Sequence, residues 1–148
     1  MKNKAEIFFL LVAIMVIIDR LSKAYFTEQG CFFLFCIKPS VNFGASLGLF
    51  TGWTALLIII GFLVLATIVY FYFIVGKKIN NLARIALILL FAGTLSNLLD
   101  RILFGYVIDW LTFSFVYFPA FNIADASNLL GALLLVIFLF KKEKKKNK

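Results

Sequence analysis

Asp19, Asp100, Asp109 and Asp125 are the aspartates of this chain, and their surroundings differ in ways that bear on chemistry. Asp19 and Lys23 stand at i,i+4, the spacing that puts two side chains on one face of a helix. Asp100 is followed by Arg101 and has Asn97 one turn back. Each of these carboxyls therefore has a local cation that favours its ionised form. Asp109 and Asp125 have no basic residue within five positions and sit among Trp110, Phe121 and Ile123. Low dielectric and a second carboxylate both raise a carboxyl pKa. If these two side chains meet, they share one proton, as in aspartic-protease dyads. Such a pair suits peptide hydrolysis: the carboxylate takes a proton from water while the acid polarises the scissile carbonyl. A plainer role stands beside this one. Asp125 follows an irregular stretch after Pro119, and Asp is a good N-cap.

Other chemistries find no residues to carry them. The chain has no His, which removes HExxH zinc motifs and any His-based triad. No metal and no cofactor is expected. Ser22 and Lys23 are adjacent, so on a helix they point about 100° apart and make a poor nucleophile pair. Cys31 and Cys36 are too few for a disulfide framework, and their spacing leaves open whether they pair.

The elements that must position these groups follow from composition. Of 148 residues 64% are apolar and only 15% charged, 19 are Phe, and the mean hydropathy is +1.04. An ordinary soluble domain is about 45–50% apolar and roughly 25% charged. A chain this short could not hide so much apolar surface in a soluble core. It reads as a single polytopic all-α membrane domain over residues 1–148. Four blocks are long enough for a bilayer core of about 30 Å: 7–26, 53–75, 82–104 and 121–140. Two lysines before Ile7–Ile18 resemble a signal peptide, and Gly30-Cys31 hints at a cleavage site. The apolar stretch continues past Asp19 to Phe26, however, which favours a retained span. The short basic turn at 76–81 makes the second and third spans antiparallel neighbours.

Eleven of the fifteen basic residues lie at the two ends and in the middle turn, and every Asp lies elsewhere. Positive residues in short loops mark the cytoplasmic side, so both termini are expected inside. The Lys-rich tail at 141–148 then faces anionic lipid headgroups rather than nucleic acid. Counting helical rise from the inner ends, Asp19 lies about 18 Å up the first span, Lys23 about 24 Å, Asn97 about 22 Å and Asp100 about 27 Å. Asp125 lies about 6 Å below the outer end of the fourth. Three spans thus bring polar groups to one outer layer, and charges within spans are costly enough for that placement to mark a site. Of the two outer loops, 27–52 holds the runs Cys31–Ile37 and Val41–Gly48, which suit short strands. The other, 105–120, is aromatic and fits a segment lying in the membrane interface.

These residues fall into four blocks that resemble the lipoprotein signal peptidases, or signal peptidase II, integral membrane aspartyl proteases of bacteria. Asp19-Arg20-Leu21-Ser22-Lys23 is similar to the family's D-x-x-x-K, and Asn42-Phe43-Gly44-Ala45 to its N-x-G-A. Gly93 through Asn97, Asp100 and Arg101, followed by Gly105 to Asp109, resembles G-x-x-x-N-L-x-D-R and G-x-V-x-D. Phe118-Pro119-Ala120-Phe121-Asn122-Ile123-Ala124-Asp125 resembles F-P-x-F-N-x-A-D. The resemblance implies catalysis by Asp109 and Asp125. It implies substrate contact or support from Asp19, Lys23, Asn42, Gly44, Gly93, Asn97, Asp100, Arg101 and Asn122, and a small β cradle from 27–52. The implied substrate is a prolipoprotein carrying diacylglyceryl on its lipobox cysteine, cut just before that cysteine. The implied setting is the bacterial inner membrane, with the site near the outer face and membrane lipids as neighbours; a monomer is expected. Arg20, Leu47 and Ser96 depart from the family's common residues (Gln, Phe and Gly), and Ala126-Ser127-Asn128 replaces the usual Ser-Ala after Asp125. Two other readings remain. Carboxylates within spans mark transport pathways, although transporter sites usually lie near the midplane. A membrane scaffold could use Asp19-Lys23 and Asp100-Arg101 to hold its helices together.

Overall fold

Apolar runs in a bilayer must satisfy their own backbone, so they become helices. The computed structural model describes residues 4–45, 49–74 and 80–146, which places Leu47 and most of the 76–81 turn outside the described residues. Four long helices are present among the described residues: α1 (Lys4–Tyr25), α2 (Thr54–Val69, prolonged by a π-helical turn Tyr70–Ile74), α3 (Asn81–Phe104) and α4 (Ile123–Lys146). Among the described residues three segments are long and apolar enough to cross a membrane: Thr54–Ile74, Asn81–Phe104 and Ile123–Lys141. α1 is 22 residues long but carries Asp19, Arg20 and Lys23 in its outer third. α4 starts two residues later than the sequence suggests, because Asn122 caps it. It also runs on through Lys146, so most of the basic tail is helix, in keeping with the good helix propensity of Lys.

α3 is the central helix and packs on the other three. Its N-terminus is capped by Asn80, whose side chain accepts from the Ala83 N–H at 3.0 Å. Its C-terminus ends at Gly105 with φ 83°, a left-handed conformation open to Gly. The α3–α4 crossing depends on two glycines. A Cβ on Gly93 would lie 2.4 Å from the Ala124 carbonyl oxygen, and one on Gly131 would lie 2.9 Å from that of Ala86. Small residues admit this close backbone approach in membranes. At the inner end Phe8 is fully buried, with ring centroids 4.4 Å from Tyr72 and 5.1 Å from Phe91.

The outer layer is a three-stranded antiparallel sheet in the order β1 (Gly30–Phe32), β2 (Phe35–Asn42), β3 (Val107–Phe113). Three expectations change here. The run 41–48 leaves the strand after Asn42 and bends through Ala45, and 46–48 lie outside the described residues. The run 31–37 is a hairpin rather than one strand: Cys31 faces Cys36 across it, the two form a disulfide, and Phe33 turns the chain at φ 52°. The aromatic segment 105–120 is not simply interfacial, since its first half is β3 and pairs with β2. Only its tip stays open, with Tyr117 almost fully exposed. The β2–β3 register is irregular between Ile37 and Ser40, at Pro39, which has no N–H for the ladder. Beyond that break Ser40 stands opposite Asp109 and Asn42 opposite Val107.

Candidate active site

β3 delivers Asp109 and the start of α4 delivers Asp125. Asn122 occupies the space that links them. It is fully buried, and its amide donates to Asp109 Oδ1 at 2.7 Å, to the Ile108 carbonyl at 3.2 Å and to Asn97 Oδ1 at 3.2 Å. Its own Oδ1 accepts the Asp125 N–H at 2.8 Å, while Asp125 Oδ2 accepts the Asn122 N–H at 3.2 Å. That reciprocal pair is a capping box. Asp125 therefore does help to cap α4, as the third helical residue of the box rather than as the cap itself. Its other oxygen remains directed at α3 and accepts from Asn97 Nδ2 at 2.8 Å.

Asp109 is 2% exposed. Its second oxygen accepts from Asn42 Nδ2 at 3.1 Å, and Asn42 is held in turn by the Gly44 N–H on its Oδ1 at 2.9 Å. Burial first, and the Asp125 carboxylate second, push the Asp109 carboxyl up from 3.8 to about 7, outweighing the amide bonds from Asn42 and Asn122 and the more distant Lys23 charge. A neutral acid and a carboxylate can thus coexist here near neutral pH.

Beneath this pair lies an ion cluster. Lys23 Nζ is 2.6 Å from Asp19 Oδ2 and 2.7 Å from Asp100 Oδ2, and it donates to Asn97 Oδ1 at 3.3 Å. Asp19 also accepts from Ser96 Oγ at 2.6 Å and from the Ala124 N–H at 2.9 Å. It thereby satisfies one of the orphan donors at the start of α4. Asp100 is fully buried, pairs with Arg20, and accepts the Ile108 N–H at 3.3 Å. The cluster ties α1, α3, α4 and β3 into one layer. The Asp100–Arg101 pairing suggested by adjacency is corrected: neighbours on a helix diverge by about 100°, and the cations on Asp100 come from α1. Arg101 turns the other way and donates to the Gly44 carbonyl at 2.8 Å and to the Asn97 carbonyl at 3.3 Å.

The structure thus joins Asp19, Lys23, Asn42, Gly44, Asn97, Asp100, Arg101, Asp109, Asn122 and Asp125 in one network, while Gly93 serves the helix crossing. Several participants escaped sequence reasoning. Arg20 and Ser96, noted only as departures, hold Asp100 and Asp19. Ser96 stands four residues before Asp100, a spacing that signals a shared face. Trp110 is buried, donates to Ser22 Oγ at 3.2 Å and stacks on Phe26 at 4.1 Å; its position in the chain gave no signal of this.

A cleft of about 410 Å³ opens beside the network between α2, α3 and α4. Asn97, Arg101 and Asp125 line its outer end, and Leu57, Ile60, Val64, Leu98 and Leu129 supply its apolar walls. The arrangement offers two carboxyls, fixed amide donors and a hydrophobic seat, which together suit hydrolysis of an apolar peptide.

The chain has recognisable relatives. A family model described as signal peptidase (SPase) II matches residues 11–141. A lipoprotein signal peptidase of Chlamydia trachomatis serovar D is 43% identical over 117 residues, covering 77% of this chain and 70% of the relative. One from Clostridium acetobutylicum is 33% identical over 152 residues, covering 93% and 96%. A solved structure described as a bacterial membrane enzyme matches with a TM-score of 0.89 at 30% identity, over 98% of this chain and 94% of that one. A transport function finds no support in these matches. With a matching family model over most of its length and a fold shared with a bacterial membrane enzyme, this chain belongs to the signal peptidase II family.

Proposed function

We propose that this chain is a membrane aspartyl endopeptidase that removes the signal peptide from diacylglyceryl-modified prolipoproteins, cutting just before the lipid-bearing cysteine. The observation that carries the reading is the link from Asp109 through Asn122 to Asp125, which lines the outer end of an apolar cleft. Asp109, raised to about 7, holds the shared proton in the reactive form. Ionised Asp125 takes a proton from a water molecule as the water oxygen attacks the scissile carbonyl carbon. Asp109 donates its proton toward the carbonyl oxygen as negative charge develops there. The tetrahedral adduct collapses with its C–N bond breaking; the proton on Asp125 passes to the leaving nitrogen and Asp109 recovers its own. The roles belong to a coupled pair that titrates together.

In this reading 1–148 is a single four-span domain with both termini in the cytoplasm and the site near the outer face of the bacterial membrane. α1 is the remaining span: its 22 residues reach about 33 Å, and its outer charges are neutralised against Asp100 and one another. A substrate helix enters the cleft sideways from the bilayer, and its lipidated cysteine stays at headgroup level beneath the sheet. The active unit is a single chain. The test is a gel-shift assay of the purified chain in detergent with a prolipoprotein bearing or lacking diacylglyceryl. Cleavage of the lipidated form alone supports the reading, equal cleavage of both removes the lipid requirement, and cleavage of neither by a folded chain overturns it.

A further inference from the structure

One polar pair lies deeper in the cleft than Asp125. Asn128 stands three residues past Asp125 on α4, about 4.5 Å further inward by helical rise, on the same helix face. With Thr94 of α3 it lines the cleft. The Thr94 hydroxyl donates to Asn128 Oδ1 at 3.3 Å. Gly93 makes room for this amide: a Cβ there would lie 2.6 Å from Asn128 Oδ1 and 2.8 Å from its Cγ. With Oδ1 engaged by Thr94, the Asn128 NH₂ is left for the cleft.

An amide donor facing hydrocarbon is costly unless it finds an acceptor. A substrate entering this cleft brings one. The last four carbonyls of any helix lack intrahelical partners, and the bilayer core offers none. A signal helix opened for cutting at Asp109 and Asp125 leaves its orphan carbonyls on the inward side, beside Asn128.

We propose that Asn128, oriented by Thr94, is a substrate-binding residue whose amide donates to a main-chain carbonyl of the signal segment just before the cut, holding the opened helix end in register. The distance of about 4.5 Å corresponds to roughly one extended residue or three helical ones, so the carbonyl belongs to one of the three peptide bonds that precede the scissile one. The inference rests on the proposed peptidase function and adds a subsite to it.

The test uses the full chain and synthetic diacylglyceryl lipopeptides. One is all-amide; the others carry a single ester in place of each of the three peptide bonds preceding the scissile one, because an ester carbonyl is the weaker acceptor. Asn128→Leu is expected to raise KM about tenfold, the value of one hydrogen bond, with kcat within about twofold of the parent. One ester should raise KM for the parent and have no further effect on Asn128→Leu. An unchanged KM in folded Asn128→Leu, a fall in kcat alone, or an ester effect of equal size in both proteins overturns the proposal. If Asn128→Leu does not fold, Thr94→Val with the same esters decides: a smaller ester effect than in the parent supports the proposal and an equal one overturns it. A parent that cleaves normally while these comparisons fail sinks only this subsite. A folded parent that cleaves no lipopeptide sinks the peptidase function and the subsite together.

Discussion

Replacing Asp109 by Asn should change how stability depends on pH, and the sign can be worked out. Asp109 is buried, and its carboxyl rises from 3.8 to about 7, chiefly through burial and then through Asp125. An acid with a raised folded-state pKa binds its proton more tightly when folded. Its stabilising contribution is complete below about 3.8 and is lost as pH climbs to about 7. Above pH 5 the unfolded chain has lost that proton, while the folded chain gives it up only around pH 7. The loss runs at nearly 1.4 kcal/mol per pH unit near pH 5 and at about half that at pH 7, and the two units together lower stability by about 2.3 kcal/mol. For a chain of this length that corresponds to about 5–9 °C in Tm. Asp109→Asn cannot ionise and lacks this component. In thermal unfolding in one detergent at pH 5, 6, 7 and 8, parent Tm minus variant Tm should fall by that amount from pH 5 to 7 and level off above. Parallel profiles would refute the raised pKa, and a difference that grows with pH would refute the sign.

The ion cluster and the helix crossing give further expectations. Lys23→Met removes the cation shared by two buried carboxylates. It should cost about 3–5 kcal/mol, read as a large fall in Tm. Arg20→Gln leaves Lys23 on Asp100, and the Arg20 side chain is 30% exposed, so its loss should cost about 1 kcal/mol or less. Equal effects from the two would mean that Lys23 is not the centre of the cluster. Gly93→Ala places a methyl 2.4 Å from the Ala124 carbonyl oxygen. It should destabilise the chain by about 1–3 kcal/mol through overpacking and lower activity by disturbing the start of α4. An unchanged Tm would show that the α3–α4 crossing gives way easily.

Much of the helical frame was legible because hydrocarbon leaves an apolar run few alternatives to a helix. The common depth of Asp19, Asn97 and Asp125 followed from rise per residue alone. Partnerships were harder to see. Adjacency pointed Asp100 at Arg101, whereas rotation about the helix axis sends Asp100 toward Arg20 and Lys23 and sends Arg101 toward Gly44. Strand β3 was hidden because an aromatic run reads equally as an interfacial belt, and its pairing with β2 depends on contacts distant in sequence. The same limit concealed Asn122 as the group linking Asp109 to Asp125. Its N-cap position was readable from the Asn-x-x-Asp spacing, but its reach to β3 was not. Gly93 could be recognised as a glycine of the matching pattern, while the reason for it, the passage of α4 over α3, appears only in three dimensions.

The central claim is that Asp109 and Asp125 together carry the hydrolysis, and the most direct measurement is single-turnover cleavage of a diacylglyceryl-modified prolipoprotein by the parent, Asp109→Asn and Asp125→Asn, each shown to be folded. The expected result is that either substitution lowers the cleavage rate by at least about 10²–10⁴-fold, with substrate binding retained. Cleavage at the parent rate by either folded variant would contradict the claim and return the search for the acid and base to Asp19 and Asp100.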